Sequence, residues 1–229
     1  MSQLPPTAVR LSRWGTTITL AVCVLAFSGC RLLHPREVMI GKGYEPENIF
    51  SAAPVLPAEL KRVLVLPLAT DERVAALASG RETLDPVLTS ELLKTRKFEV
   101  VRVTSEALRM KTGGVGWNGE EVLPENFFTV LQESFGCDAV LFCQLTTFRA
   151  YAPLAVGWRM KLVDVRSRQI LWAGDEVFDA GQSAVKNGAR RYQLEHLPTV
   201  ESGAWMMENS PRHFGQYTLA KLLDTLPVR

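Results

Sequence analysis

The side chains that most often carry out chemistry in enzymes are sparse in this sequence, and their spacing fits no common catalytic site. The three histidines, His34, His196 and His213, are far apart, and none stands in an H-E-x-x-H or other metal-binding spacing. Residues 112–119 are rich in glycine but lack the G-x-G-x-x-G spacing and the lysine of a phosphate-binding loop. We therefore expect no catalytic residues, no cofactor and no metal site.

Adjacent carboxylates occur at Glu120-Glu121 and at Asp175-Glu176. The second pair falls in a predicted strand, where neighbouring side chains point to opposite faces of the sheet. Asp175 and Glu176 are therefore not expected to act together as a general acid and a general base.

Cys30 is the residue whose surroundings most clearly predict a chemical modification. Arg10 and Arg13 precede an apolar stretch over residues 14–27, which is typical of a secretion signal and is shorter than the roughly 20 residues of a membrane-spanning helix. The stretch ends in Phe27-Ser28-Gly29-Cys30, and small residues directly before a cysteine resemble the lipobox of bacterial lipoproteins. An ordinary signal peptide or an uncleaved anchor is the alternative.

The lipobox resemblance implies a signal peptide over residues 1–29 and acyl chains such as palmitate on Cys30. The protein would then be attached to a membrane through this N-terminal lipid. Arg31 stands where inner-membrane lipoproteins of enterobacteria have Asp, which favours the outer membrane, facing the periplasm, with the inner membrane as the alternative.

The net charge argues against a nucleic-acid partner. The chain has 26 Lys and Arg against 24 Asp and Glu, and no acidic residue precedes Cys30. Removing Arg10 and Arg13 with the signal leaves 24 against 24, so the remaining chain is neutral. A neutral chain without a run of Lys and Arg lacks the charge pattern of nucleic-acid binders.

Cys137 and Cys143 both fall in a segment that is predicted to form a strand. Six residues of strand separate their Cα atoms by about 20 Å, whereas a disulfide needs less than about 7 Å. We expect both cysteines to be buried and unpaired.

Proline and hydropathy patterns divide the rest of the chain into a tether and a folded domain. Residues 30–59 carry four prolines and few apolar faces, which predicts a flexible tether of about 30 Å mean span. Residues 60–229 are predicted to form one α/β domain. Its first strand is the apolar run 62–68, and a second continuous apolar run at 139–145 predicts a central strand beside it.

Helices are predicted between these strands from capping residues and apolar spacing. Asp85-Pro86 resembles a helix start, with Leu84, Val87, Leu88 and Leu92 on one face. Further helices are expected over 124–135, ending at Gly136, and from Ser210-Pro211 to Leu226. Residues 158–178 predict an antiparallel hairpin with Arg166-Ser167-Arg168 at its turn. The order β-α-β-α-β-β-β-α indicates a single mixed sheet.

Three segments together carry a resemblance to a fold group: 62–67, the Gly-Cys-Asp-Ala-Val-Leu sequence at 136–141, and 162–172. They resemble the fold shared by the amino-terminal domain of TolB, the Tol-system β-propeller protein, by the lipoprotein activators of penicillin-binding proteins, and by the curli secretion lipoprotein. The resemblance covers residues 62–180. It implies binding and assembly work in the cell envelope without catalysis.

Two segments have the residue types that are enriched at protein interfaces. One is the loop 112–123 with Trp117, and the other is 186–207. The candidate partner-binding residues are Trp117, Arg190, Arg191, Tyr192, Trp205 and Met207. We expect contact with an envelope protein complex. The alternative is a subunit of an oligomeric outer-membrane secretion channel, for which the charged hairpin turn is unfavourable.

Overall fold

The computed structural model of the protein describes residues 40–196 and 206–229. The chain divides into two units, Met1–Gly41 and Lys42–Arg229. All elements given below belong to the second unit. The predicted signal peptide and Cys30 lie outside the described residues.

The centre of the second unit is one six-stranded sheet in the order β1-β6-β5-β4-β2-β3. The strands are β1 (Ile49–Ser51), β2 (Arg62–Val65), β3 (Glu99–Arg102), β4 (Ala139–Arg149), β5 (Ala155–Asp164) and β6 (Ile170–Asp179). Strand β2 is parallel to both β3 and β4, whereas β4, β5, β6 and β1 pair with antiparallel neighbours. The predicted α/β fold with one mixed sheet is therefore confirmed.

The helices cover both faces of the sheet. They are α1 (Ala75–Thr95), α2 (Ser105–Thr112), α3 (Phe127–Phe135), α4 (Ser183–His196), α5 (Met206–Asn209) and α6 (Pro211–Leu223). Helices α1, α4 and α6 contribute to a large apolar core on the first face. Helices α2 and α3 enclose a smaller core on the second face. This arrangement gives three layers around β2 and β4.

Helix α1 begins ten residues before the start predicted at Asp85-Pro86, because tertiary packing extends it toward its N-terminus. The predicted apolar face is confirmed, and Leu84, Val87, Leu88 and Leu92 are all buried. Gly80 belongs to the added part, where a Cβ atom would lie 2.6 Å from the Phe148 ring. Asp85 does not cap the helix. Its carboxylate pairs with Arg102 instead, at 3.3 Å.

The chain before residue 60 is packed on the domain from Tyr44 onward, which moves the boundary of the predicted tether. Strand β1 pairs with β6, with Ile49 opposite Gly174. Leu56 is 4% exposed and Leu60 is 1% exposed, so both belong to the first core. The segment was expected to be flexible because its apolar residues are few and isolated. Tyr44, Ile49 and Leu56 pack here against residues that lie far away in the sequence, whereas Phe50 and Val55 stay exposed.

The hairpin of β5 and β6 forms as predicted, and its turn is held by Asp164. One carboxylate oxygen of Asp164 accepts hydrogen bonds from the backbone N–H groups of Arg166 and Ser167, at 3.0 and 2.7 Å. Arg168 then adopts a left-handed conformation with φ of 59°. Gly136 does the same after α3, with φ of 61°, as its position at the helix end predicts.

Candidate functional site

A groove of about 300 Å³ lies between the last turn of α1, helix α4 and helix α6. The chain segment before β1 forms another wall of this groove with Gly43 and Glu45. Four stretches that are far apart in the sequence therefore meet here. We refer to this site as the helix groove.

Three aromatic rings line the helix groove. Tyr192 stacks on His196, one helical turn later on α4, with ring centroids 4.1 Å apart and planes inclined by 15°. Tyr217 of α6 lies 5.9 Å from Tyr192. Tyr217 is 1% exposed, and its hydroxyl has no hydrogen-bond partner among the described residues. An unpaired buried hydroxyl is costly to the stability of the fold.

Burial raises the pKa values of both phenols further above neutrality. Desolvation, helped by the charges of Glu91 and Asp224, raises the pKa of Tyr192 to about 12. Desolvation also raises the pKa of Tyr217. Both hydroxyls therefore stay protonated at neutral pH and through most of the alkaline range.

Gly188 lets α4 approach α6 closely at the floor of the helix groove. A Cβ atom at this position would lie 2.2 Å from the hydroxyl oxygen of Tyr217, well inside van der Waals contact. Only a glycine therefore fits on α4 at this contact.

Ion pairs surround the aromatic floor. The carboxylate of Glu91, which is 3% exposed, contacts the ammonium of Lys94 at 2.6 Å. Lys221 contacts Glu45 at 3.0 Å and thereby joins α6 to the segment before β1. Asp224 also lines the helix groove, and desolvation raises the pKa of its carboxyl. The walls thus carry charges of both signs around apolar rings.

Glu176 fastens the segment that forms one wall of the helix groove. This strand residue is 6% exposed. Its carboxylate accepts a hydrogen bond from the Tyr44 hydroxyl at 2.6 Å and others from the backbone N–H groups of Glu47 and Asn48. Its neighbour Asp175 instead pairs with Arg159 at 2.7 Å. The two carboxylates have different partners, consistent with the expected opposite faces of the strand.

Two of the sequence-predicted partner-binding residues meet in the helix groove. Arg191 and Tyr192 both line it, from adjacent positions on α4. Arg190 is half-buried on the same helix. Trp205 lies outside the described residues.

Two other candidates are packed in the cores. Met207 is 0% exposed and belongs to the first core, and its backbone N–H donates to the side chain of Gln193. Trp117 is half-buried against the second core, where its ring makes an edge-on contact with Phe127 at 5.3 Å. Its indole N–H donates to the Thr112 hydroxyl at 2.7 Å. Both residues were expected to bind a partner at the surface. The structure gives each of them a packing role, because each fills apolar space under a loop or short helix.

The two described cysteines are buried and unpaired, as the sequence predicts. Desolvation raises the pKa of the Cys137 thiol to about 11, and burial also raises the pKa of the Cys143 thiol. A raised pKa leaves little thiolate at neutral pH, so neither sulfur is an activated nucleophile.

Metal-ligand clusters and membrane-spanning helices are absent from the described part of the chain. In residues 40–196 and 206–229, no three His, Cys, Asp or Glu side chains are grouped as metal ligands would be. Within the same ranges, no helix combines the length and the hydropathy that crossing a bilayer requires.

Comparisons with known proteins find similarity in structure and not in sequence. No protein-family model matches the chain, and no curated protein matches it. Solved structures do match. One is the PelC dodecamer from Paraburkholderia phytofirmans, with 15% identity and a TM-score of 0.43, over 79% of this chain and 98% of that one.

Two further solved structures also match the chain. The lipoprotein GNA1162 from Neisseria meningitidis is 18% identical over 62% of this chain and 99% of that one, with a TM-score of 0.38. TolB from Acinetobacter baumannii is 14% identical over 66% of this chain and 31% of that one, with a TM-score of 0.30. TolB, which was named from the sequence as a member of the similar fold group, is one of these matching structures. At these identities the likeness concerns the fold.

Sequence reasoning missed several residues of the site. Glu91, Tyr217 and Gly188 each look like ordinary helix residues in the sequence. Tyr44 and Glu176 are 132 residues apart, and neither has a neighbouring motif. The one available signal was the charged Glu176 at a position of β6 that alternation assigns to the buried face.

Proposed function

We propose that the protein is a lipid-anchored binding and assembly protein of the bacterial envelope, which faces the periplasm and contacts an envelope protein complex without catalysis. The observation that carries this proposal is the position of Gly43 and Glu45 in the wall of the helix groove. The chain leading away from Cys30, the expected acylation site, therefore reaches the domain beside this groove.

The short distance along the chain from Cys30 to Tyr44 restricts where the domain can sit. Thirteen residues separate these two positions, in place of the 29 of the expected tether. Thirteen residues span at most about 50 Å when fully extended. A chain of this length limits how far the domain can lie from the membrane surface. Arg31 favours the outer membrane as that surface.

The chemistry of the helix groove suits a short segment of a protein partner. Tyr192 lines the groove with a protonated hydroxyl, the stacked rings of Tyr192 and His196 offer apolar surface, and charges of both signs stand at the walls. Tyr and Arg side chains in such pockets are the residues that dominate binding energy at protein interfaces. A volume of about 300 Å³ accepts a few side chains and not a folded domain.

Site-specific photo-crosslinking in intact cells tests this proposal. A photo-reactive residue replaces Glu195, which is exposed at the wall of the helix groove, in the full chain. The matched control replaces Met110, which is 78% exposed on α2 at the other face of the sheet. We expect one envelope protein to be crosslinked from position 195 and not from position 110, and Arg191→Ala to reduce the yield.

Two results would contradict the proposal. Equal adducts from both positions would show that the contacts are not specific to the helix groove. Adducts of the chain with itself alone would instead favour the oligomeric assembly that is the alternative function.

A further inference from the structure

Four exposed basic side chains lie along one edge of the sheet. Lys61 precedes β2, Arg96 follows α1 shortly before β3, and Arg166 and Arg168 belong to the turn between β5 and β6. We call these four residues the basic edge.

Backbone hydrogen bonds show that the segments carrying the basic edge are neighbours. The N–H of Glu99 donates to the carbonyl of Lys61 at 2.8 Å, which joins the starts of β3 and β2. The N–H of Asp138 donates to the carbonyl of Arg62, also at 2.8 Å, and Val165 donates to the carbonyl of Asp138 at 3.0 Å. The starts of β2, β3 and β4 and the end of β5 therefore form one continuous strip along this edge of the sheet.

The basic edge carries charges that the domain itself does not neutralise. Within residues 40–196 and 206–229, no carboxylate oxygen lies within 4.0 Å of the cationic groups of these four residues. Beyond the opposite ends of β2 and β4 the situation differs. There Arg73 pairs with Asp71, and Arg149 pairs with Asp179.

The acidic side chains at the same strand ends already have other partners. One oxygen of Asp138 accepts the backbone N–H groups of Lys61 and Arg62, both at 2.9 Å. Asp164 holds the hairpin turn, and Glu99 pairs with Arg62 at 3.2 Å. Glu59 is exposed two residues before Lys61. When Arg62 is counted, five basic residues stand at these strand ends against the four acidic residues just named, in a chain that is neutral as a whole from Cys30 onward.

Two residues of the basic edge have a left-handed backbone conformation, which favours glycine. Among the described residues, left-handed φ values at positions other than glycine occur at Arg96, with 53°, and Arg168, with 59°. A left-handed conformation is unfavourable for a residue with a Cβ atom, and glycine would adopt it without strain. Strained residues of this kind are concentrated at functional positions. Both of these positions carry exposed arginines of the basic edge.

We propose that the basic edge docks on the anionic lipid headgroups of the membrane to which the chain is anchored. This inference rests on the proposed lipid anchor. The anchor segment can reach about 50 Å when extended, which is comparable with the width of a domain of this size, so the edge can turn toward the bilayer. The long side chains of these unpaired Lys and Arg residues project from turns and strand ends and can contact a negatively charged membrane surface. Docking of the edge would then fix the direction in which the helix groove faces.

Energy transfer on vesicles measures this docking with the full acylated chain. A donor dye is attached to Ser167→Cys at the hairpin turn, and an acceptor dye is placed on lipid headgroups. One set of vesicles is pure phosphatidylcholine, and the other contains about 30% phosphatidylglycerol, which gives the surface a negative potential. We expect greater transfer on the anionic vesicles and loss of the difference at about 1 M salt, where charges are screened within a few ångströms.

Two triple variants with the same net charge separate the basic edge from charge in general. Lys61→Gln, Arg166→Gln and Arg168→Gln remove three charges from the edge, and Arg73→Gln, Arg109→Gln and Lys111→Gln remove three elsewhere. Each basic residue at an anionic surface contributes about fivefold, so the first triple variant should shift the docking equilibrium by roughly a hundredfold. The second should behave like the parent.

The outcomes distinguish this inference from the anchor on which it rests. If the parent chain washes off pure phosphatidylcholine vesicles, the lipid anchor fails. If it stays bound but transfer is equal on both lipids, or equal in both triple variants, the anchor stands and docking of the basic edge is refuted. An acidic protein or glycan as the true partner would give this second result.

Discussion

The hydroxyl of Tyr44 donates a hydrogen bond to the carboxylate of Glu176 at 2.6 Å, across 132 residues of sequence. Tyr44 belongs to the segment that follows the expected anchor, and Glu176 belongs to strand β6. The contact therefore fastens this segment to the sheet. The same carboxylate also holds the backbone of Glu47 and Asn48. The position of the wall that Gly43 and Glu45 form in the helix groove thus depends largely on one buried acidic side chain.

Replacing Tyr44 by Phe should lower the free energy of unfolding by about 1.5–3 kcal/mol, because a hydrogen bond to a charged group is lost and the carboxylate of Glu176 is left less satisfied. Denaturant unfolding measures the change. Tyr151→Phe is the matched control, since Tyr151 is 84% exposed and should tolerate the change. Equal effects of both variants would show that the Tyr44 contact contributes nothing.

Gly188→Ala should destabilise the domain by about 1–3 kcal/mol, because the new methyl group overlaps the hydroxyl of Tyr217. Gly116→Ala is the control, as its Cβ would meet nothing within 4 Å. Tyr217→Phe removes the overlapping oxygen, so it should partly rescue Gly188→Ala when the two are combined. Thermal unfolding of the four variants tests this, and the absence of rescue would place the strain elsewhere.

The stability of the domain should fall as the pH rises from about 9 to about 11. The pKa of Cys137 is raised from 9.0 to about 11 and that of Tyr192 from 10.0 to about 12, mainly by desolvation. The folded protein therefore keeps protons that the unfolded chain loses in this range, and the stabilisation present below pH 9 disappears. Each such proton contributes up to about 1.4 kcal/mol per pH unit, and less at the half-buried Tyr192, where water screens the charge.

Denaturant midpoints measured across this range test the sign of the alkaline effect. Cys137→Ala should give a flatter pH profile than the parent, whatever its stability at neutral pH. A parent protein whose stability rises above pH 9 would contradict the burial of these groups.

Cys30→Ala should abolish lipid attachment, and the chain should no longer carry the mass of acyl chains. The motivation is the pair of small residues, Ser28 and Gly29, before this cysteine. Mass spectrometry and fractionation of cells check the outcome. If the variant partitions with membranes as tightly as the parent after removal of the signal, the lipoprotein assignment is wrong.

Met207→Ala should lower the free energy of unfolding by about 2–5 kcal/mol, because this side chain is 0% exposed in the first core. Arg191→Ala, in contrast, should weaken partner crosslinking at the helix groove with a smaller effect on the melting temperature. Comparing unfolding and crosslinking of the two variants separates the packing role from the binding role. Unfolding of the domain by Arg191→Ala would assign that arginine to packing.

Local sequence patterns predicted the elements whose apolar residues are close together in the chain. The buried face of α1 and the central strand β4 were both evident from spacing and continuous hydropathy. The start of α1 was not, because Asp85-Pro86 resembles a helix cap, while packing of Gly80 against Phe148 extends the helix past it.

The candidate site was harder to predict, because long-range contacts create it. Arg191 and Tyr192 stood out by residue type alone. Their neighbours Glu91, Tyr217 and Gly43 come from three other segments, and no local pattern brings these together. Strand β1 was missed for the same reason, since three residues of strand become visible only through their pairing with β6.

The pairing of β1 with β6 also has a consequence for the order of folding. Ile49 is synthesised early, but its partner Gly174 is made about 125 residues later, so the first strand must wait for most of the chain. Until then, the isolated β1 is open to pairing with other chains, which is a common route to aggregation. A chaperone that holds the emerging chain would be most needed during this interval.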